Sequence, residues 1–138
     1  MKTKSKGTRL ERELIHMFYD TGTWMSFRAA GSGSIPLPCP DLIAGTKNRI
    51  LAIECKAIKK NKRYLDKKQL EDLEKFSSIF GAEPWLGVRF NNEDWYFLTT
   101  DQLGRSKNNV PFISLELAKS KGMQFKELIG EFKQDKLV

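Results

Sequence analysis

The chain has 138 residues, about 40% of them hydrophobic and 11% aromatic, which is enough for one compact core and short for two domains. A net charge of +7 and a pI near 9.5 point to a polyanionic partner, nucleic acid ahead of a membrane surface because no basic amphipathic anchor stands out. No window approaches the ~18 consecutive apolar residues of a membrane span and no apolar run follows the basic start MKTKSKGTRLERE, while Cys39, Cys55 and the single His16 cannot build a disulfide framework or a four-ligand zinc site; a reduced, cytoplasmic, nucleoid-associated protein is the expectation.

In chain order, Leu10, Leu14, Met17 and Phe18 recur at helical spacing, predicting a helix over roughly Arg9 to Tyr19 with Thr8 and Glu11 as a capping box. His16 falls within it and is read as structural. WMSFRAA reads as a strand, GSGSIPLPCP as a loop and DLIAG as a second short strand, with a turn at TKN. RILAIECKAI is the strongest strand, apolar enough to be central. DKKQLEDLEKFSSIFG predicts a helix capped by Asp66 and stopped by Gly81, with Leu70, Leu73, Phe76 or Ser77, and Phe80 on its apolar stripe. PWLGVRF and WYFLT form two further strands around the turn NNED. Ile113, Leu115 and Leu117 alternate like an edge strand, and Phe125, Leu128, Ile129 and Phe132 trace a last helical stripe. The expected architecture is α/β, a central mixed β-sheet flanked by helices in a single domain over 1–138.

Charge is concentrated. Lys56, Lys59, Lys60, Lys62, Arg63, Lys67 and Lys68 face only Asp66 within thirteen residues, and Lys2, Lys4, Lys6 and Arg9 form a second cluster. As DNA contacts these neutralise phosphates; otherwise they are a solubilising loop and a frayed tail.

Within the strongest strand, Glu54 and Lys56 lie two apart and share a face, while Cys55 points the other way. An acid ending a central apolar strand needs a partner or a metal. Asp41 stands at the edge of the preceding strand, and a tight hairpin would bring it beside Glu54. Two adjacent carboxylates repel, which protonation or a divalent cation relieves, and oxygen ligands favour Mg²⁺ or Mn²⁺. A neighbouring lysine can orient a water or stabilise charge on a phosphate. The prolines before Asp41, in PLPCPD, restrict the loop that carries it. Glu11 reads equally as a cap partner and as an inward-facing site residue; Arg28 and Ser32, in RAAGSGS, read as strand end and linker or as phosphate contacts.

Pro40-Asp41, twelve residues, then Glu54-Cys55-Lys56 resembles the PD-(D/E)xK nuclease motif. With KGTRLEREL, RAAGSGS, PCPDLIAG, LAIECK and FSSIFGAEPWLGVRF, the chain is similar to the archaeal-type Holliday junction resolvases, the Hjc family, from Lys6 to about Phe97. The resemblance implies a restriction-endonuclease-like core and a Mg²⁺-dependent homodimer (Mn²⁺ as a substitute) that nicks four-way DNA junctions. It implies catalytic roles for Glu11, Asp41, Glu54 and Lys56. Around the metal it places Glu11, Asp41, Glu54 and the carbonyl of Cys55. It implies DNA contacts at Arg12, Arg28 and Ser32, to which the basic run adds Lys59, Lys60, Lys62 and Arg63, and a dimer face at Phe76 and Phe80, whose other reading is core packing. The longer Pro-rich loop before Asp41 departs from the common pattern. A nuclease of the same fold acting on duplex or flap DNA is the runner-up, and a non-enzymatic DNA-binding module the third reading. Sequence does not specify a recruiting clamp or helicase.

Overall fold

The computed structural model describes residues 2–29 and 36–130, with side chains from Arg9 onward. Helix α1 (Lys2–Asp20) is followed by β1 (Met25–Arg28), β2 (Leu42–Thr46) and β3 (Arg49–Ile58). A short β4 (Lys62–Tyr64) precedes α2 (Lys67–Phe80), β5 (Glu83–Phe90) and β6 (Trp95–Leu98). Then come β7 (Gly104–Arg105), β8 (Pro111–Ser114), α3 (Leu115–Lys121) and α4 (Phe125–Leu128). No helix among the described residues is long and apolar enough to cross a membrane.

The main sheet has the order β1-β2-β3-β5-β6, with β3 central and parallel to β5, and its other neighbours antiparallel. The near-continuous apolar run of β3 follows from this position, since both of its faces are covered. Leu51 and Ile53 pack with Leu10, Leu14 and Phe18 of α1 and with Leu128 of α4. Ala52 and Ile58 pack with Leu70 and Leu73 of α2, Ile113 of β8 and Ala118 of α3. Gly87 of β5 sits where a Cβ would come within 3.1 to 3.3 Å of Phe97, Ile53 and Trp95, so the sheet closes over a position with no side chain.

Helix α2 forms as its sequence predicts. The Asp66 carboxylate accepts from the Lys68 N–H at 2.9 Å, and Gly81 at φ 84° ends the helix while donating to the Ser77 carbonyl. On its apolar stripe Ser77, one of the two alternatives, is buried at 2% exposure, whereas Phe80 departs from expectation at 52% exposed, beside Ile79 at 79%. Three further expectations are corrected. Helix α1 starts at Lys2, because the lysines upstream are adequate helix formers, so Thr8 lies inside it and is not its cap. Only Ile113 of the alternating trio is in a strand; Ser114 caps α3 by accepting from Leu117 N–H, turning Leu115 and Leu117 into helix. That strand is also not an edge, since β8 is the middle of a small sheet ordered β4-β8-β7. Phe132 lies outside the described residues, as does Ser32.

Arg49 at the start of β3 ties the layers together. It makes a two-pronged pair with Glu83 (2.8 and 2.9 Å) and donates to the Leu128 carbonyl at 2.6 Å.

Candidate active site

The register of the β2–β3 hairpin assembles the site. Leu42 pairs with Ile53, so Asp41, one step beyond, stands beside Glu54. The Cys55 N–H donates to Asp41 Oδ2 at 2.9 Å, and the Ala29 N–H to the Asp41 carbonyl at 3.0 Å. Asp41 is thereby held by the chain segments on both sides of it. Glu54 and Lys56 share the face that looks to α2. Lys56 Nζ donates to Gln69 Oε1 at 2.8 Å and lies 3.9 Å from Glu54 Oε2. Gln69, on the first turn of α2, carries no sequence signal that distinguishes it from any other polar helix residue. It is a site neighbour that only the fold reveals.

Burial pushes the Glu54 carboxyl up to about 8, with the adjacent Asp41 charge adding to the rise and Lys56 opposing it. Asp41 is also raised by burial, against the lowering effect of the Cys55 N–H, Lys56 and Arg28. The two acids titrate as one pair. Ionising both carboxyls together is therefore unfavourable unless a further positive charge stands beside them.

Glu11 enters from the other side. It lies on α1 among the residues covering the opposite face of the sheet, buried to 9% exposure, with its Oε1 at 2.7 Å from Arg28 Nε. Beyond this ion pair the buried oxygen has no other partner among the described residues. Burial raises the Glu11 carboxyl, Asp41 raises it further, and Arg28 opposes both. Among the described residues no three Asp, Glu, His or Cys side chains gather closely enough to hold one metal ion. Glu11 is paired with Arg28 and still feels the Asp41 charge. The donors that converge are the two carboxylates Asp41 and Glu54. They fit a hard cation of the Mg²⁺ kind, which binds through one or two carboxylates and keeps several waters.

Of the other residues singled out in the sequence, Arg12 and Arg28 are exposed on α1 and at the end of β1, and Lys59 and Lys60 are exposed in the turn after β3. Lys62 and Arg63 are on β4, where Arg63 Nη1 donates to the Ala57 carbonyl at 2.9 Å. His16 is exposed on α1. Phe76 and Phe80 stack with ring centroids 4.9 Å apart on α2; Phe76 packs partly into the core while Phe80 is exposed.

The archaeal Holliday junction resolvase (Hjc) family matches residues 2–137 of the chain. The crossover junction endodeoxyribonuclease Hjc of Archaeoglobus fulgidus is 37% identical over 134 residues, covering 93% of this chain and 98% of that protein. The protein of the same name from Methanocaldococcus jannaschii is 37% identical over 96% of this chain and 92% of its own length. The fold matches the crystal structure of Archaeoglobus fulgidus Hjc, described as a Holliday junction resolvase from an archaeal hyperthermophile, with a TM-score of 0.81 at 32% identity, covering 89% of this chain and 99% of that one.

Proposed function

The chain belongs to the archaeal Holliday junction resolvase family, and from that premise we propose that it is a structure-selective endodeoxyribonuclease that resolves four-way DNA junctions by hydrolysing phosphodiester bonds. It does so as one nuclease domain, as a homodimer inside the cell. The single observation carrying this reading is the hairpin register that sets Asp41 beside Glu54, with Lys56 on the same face.

Asp41, Glu54 and the Cys55 carbonyl would hold a Mg²⁺ or Mn²⁺ ion. Such an ion supplies an acidified water and charge neutralisation at the phosphate. The chain's own groups do the rest. The Cys55 N–H fixes the rotamer of Asp41, so this carboxylate does not have to be ordered when substrate arrives. Lys56, restrained by Gln69 and Glu54, would orient a water or meet a phosphate oxygen. Arg28, 54% exposed at its side chain, can turn its fork to a backbone phosphate while Glu11 keeps the stem oriented. Arg12, Lys59 and Lys60 would extend the contact along the duplex arms, a salt-dependent grip that reads shape and not bases. Ser32 belongs to the same proposal by resemblance alone.

The dimer would form on α2. Phe80, stacked on Phe76, and Ile79 are exposed side by side on one helix end as an apolar patch. Two active sites facing two strands of a branched substrate account for paired nicks.

The deciding experiment incubates the protein and Mg²⁺ with end-labelled four-way junction and with linear duplex of the same sequence. Junction cutting at least about tenfold faster, with symmetric nicks, is expected; equal cutting of both sinks the structural selectivity and favours the general-nuclease reading.

A further inference from the structure

The small sheet of β4, β8 and β7 was not anticipated from the sequence, and the catalytic face does not use it. Its register sets Tyr64 opposite Phe112 and Phe112 opposite Gly104, with Lys62 two residues from Tyr64 on the same face. Ile113, one position on, points inward and is fully buried. The inner face therefore belongs to the core, and the outer one presents aromatic rings to solvent. Tyr64 is 54% exposed, and its ring meets Phe112 edge-on with centroids 5.9 Å apart. Lys62 Nζ hovers 4.2 Å from the Phe112 centroid and 5.0 Å from that of Tyr64.

Three observations make this more than a solvated surface. The rings lie as they do because position 104 is glycine: a Cβ there would fall 2.3 Å from Phe112 Cζ. Next, the rings border an open hollow of about 690 Å³ whose rim carries Lys62, Arg105 and Lys107 and, among the described residues, no carboxylate. Finally, one side of the rim is braced by hydrogen bonds. The loop between β7 and β8 is closed by Ser106 N–H to the Val110 carbonyl at 3.0 Å and Val110 N–H to Ser106 Oγ at 3.1 Å.

Exposed rings ringed by cations with no acid suit a ligand that is a flat aromatic plus an anion. On a protein whose partner is DNA, that is a nucleotide whose base is not paired. Duplex phosphates need the lysines and arginine but have no use for the rings, since paired bases keep their faces inside the stack. We infer that the outer face of the small sheet is a stacking site for an unpaired DNA nucleotide, with Tyr64 and Phe112 taking the base and Lys62, Arg105 and Lys107 the flanking phosphates. Lys62 covers the rings when the site is empty and swings to a phosphate when a base replaces it. The position is apt: Arg63, between Lys62 and Tyr64, bonds to the carbonyl of Ala57, the residue after Lys56, so the platform is fastened to the outgoing end of the catalytic strand. A strand opened at a branch point could then be held while its neighbouring phosphate is cut. This deepens the resolvase reading and rests on its DNA-binding half.

The test is fluorescence anisotropy of the full chain in EDTA, where nothing is cut, with a labelled oligothymidylate and a labelled blunt duplex of equal length. Tyr64→Ala is expected to weaken oligothymidylate binding by roughly 5- to 100-fold, the usual value of one base–aromatic stack, and duplex binding by less than about 2-fold. Tyr64→Phe should keep wild-type affinity for both. Gly104→Ala, which displaces the Phe112 ring without touching a charge, should repeat the Tyr64→Ala result. Equal losses on both probes, or no loss on either, overturn the stacking site. Junction cutting by the wild type is scored separately. Cutting without Tyr64-dependent single-strand binding removes the platform and leaves the resolvase intact; Tyr64-dependent binding without junction preference does the reverse.

Discussion

Glu54→Gln is the substitution whose outcome the site geometry specifies most closely. Glu54 is 12% exposed at its side chain and its carboxyl is pushed up to about 8 from 4.5 by burial and by Asp41. In the metal-free protein the folded state therefore holds a proton that the unfolded chain has already released across that range. The stability this represents is complete below the unfolded value and is lost as pH rises through the folded one. At about 1.4 kcal/mol per pH unit the ceiling is about 5 kcal/mol; because the charge is shared with Asp41 and the surroundings relax, about 2–3 kcal/mol is the figure expected. Urea unfolding in EDTA at about pH 5 and about pH 8.5 measures it through the midpoint, with the slope m as a check that the unfolded state is unchanged. Wild type should be less stable at the higher pH, and Glu54→Gln, neutral at both, should be nearly flat. A wild type that gains stability on the alkaline side, or a variant that keeps the full wild-type pH dependence, would refute the coupled-pair account.

Divalent ion should offset the same loss: at about pH 8, Mg²⁺ at a hundredfold excess over its Kd is expected to raise stability by about 2.7 kcal/mol in wild type and by clearly less in Asp41→Asn, read by thermal melting. In junction assays Asp41→Asn and Lys56→Ala should each lower the cutting rate by at least about 100-fold with junction affinity within about 3-fold of wild type; parallel loss of binding would place these residues in the grip and not in the chemistry. Phe80→Asp should shift sedimentation from dimer to monomer with less than about 1 kcal/mol lost in monomer stability, as suits a half-exposed side chain. Gly87→Ala drives a methyl against Phe97, Ile53 and Trp95 at 3.1 to 3.3 Å and should cost about 1–3 kcal/mol in urea unfolding.

Much of this architecture was readable from residues. Asp66 and Gly81 delimit α2 because both caps act locally, through a carboxylate on the Lys68 N–H and a positive φ that glycine tolerates. The bounds of β3 follow from its double-sided apolar run. Asp41 and Glu54 meet because a hairpin of fixed parity pairs them, and the prolines and the spacing were sufficient to expect it. What was not readable depends on layers. Glu11 has an inward pattern that fits a cap partner or a site residue alike, and only the packing of α1 shows it paired with Arg28 and within reach of the Asp41 charge. Phe80 falls outside the buried stripe because a face about 100° wide does not fix which residue at its edge turns inward. Leu115 and Leu117 alternate as a strand would, but a cap at Ser114 outweighs alternation. The small sheet is built from pieces of two to four residues, too short for any periodicity to register.

The restraint on Asp41 has a consequence for how this site tolerates change. The donor is the peptide N–H of residue 55, so it is indifferent to which side chain that residue bears. Small apolar replacements of Cys55 should leave the acid anchored and the pocket beneath α1 filled. Proline, which has no hydrogen to give, would release it; the anchor is thus written into the polymer itself and is beyond the reach of ordinary substitution.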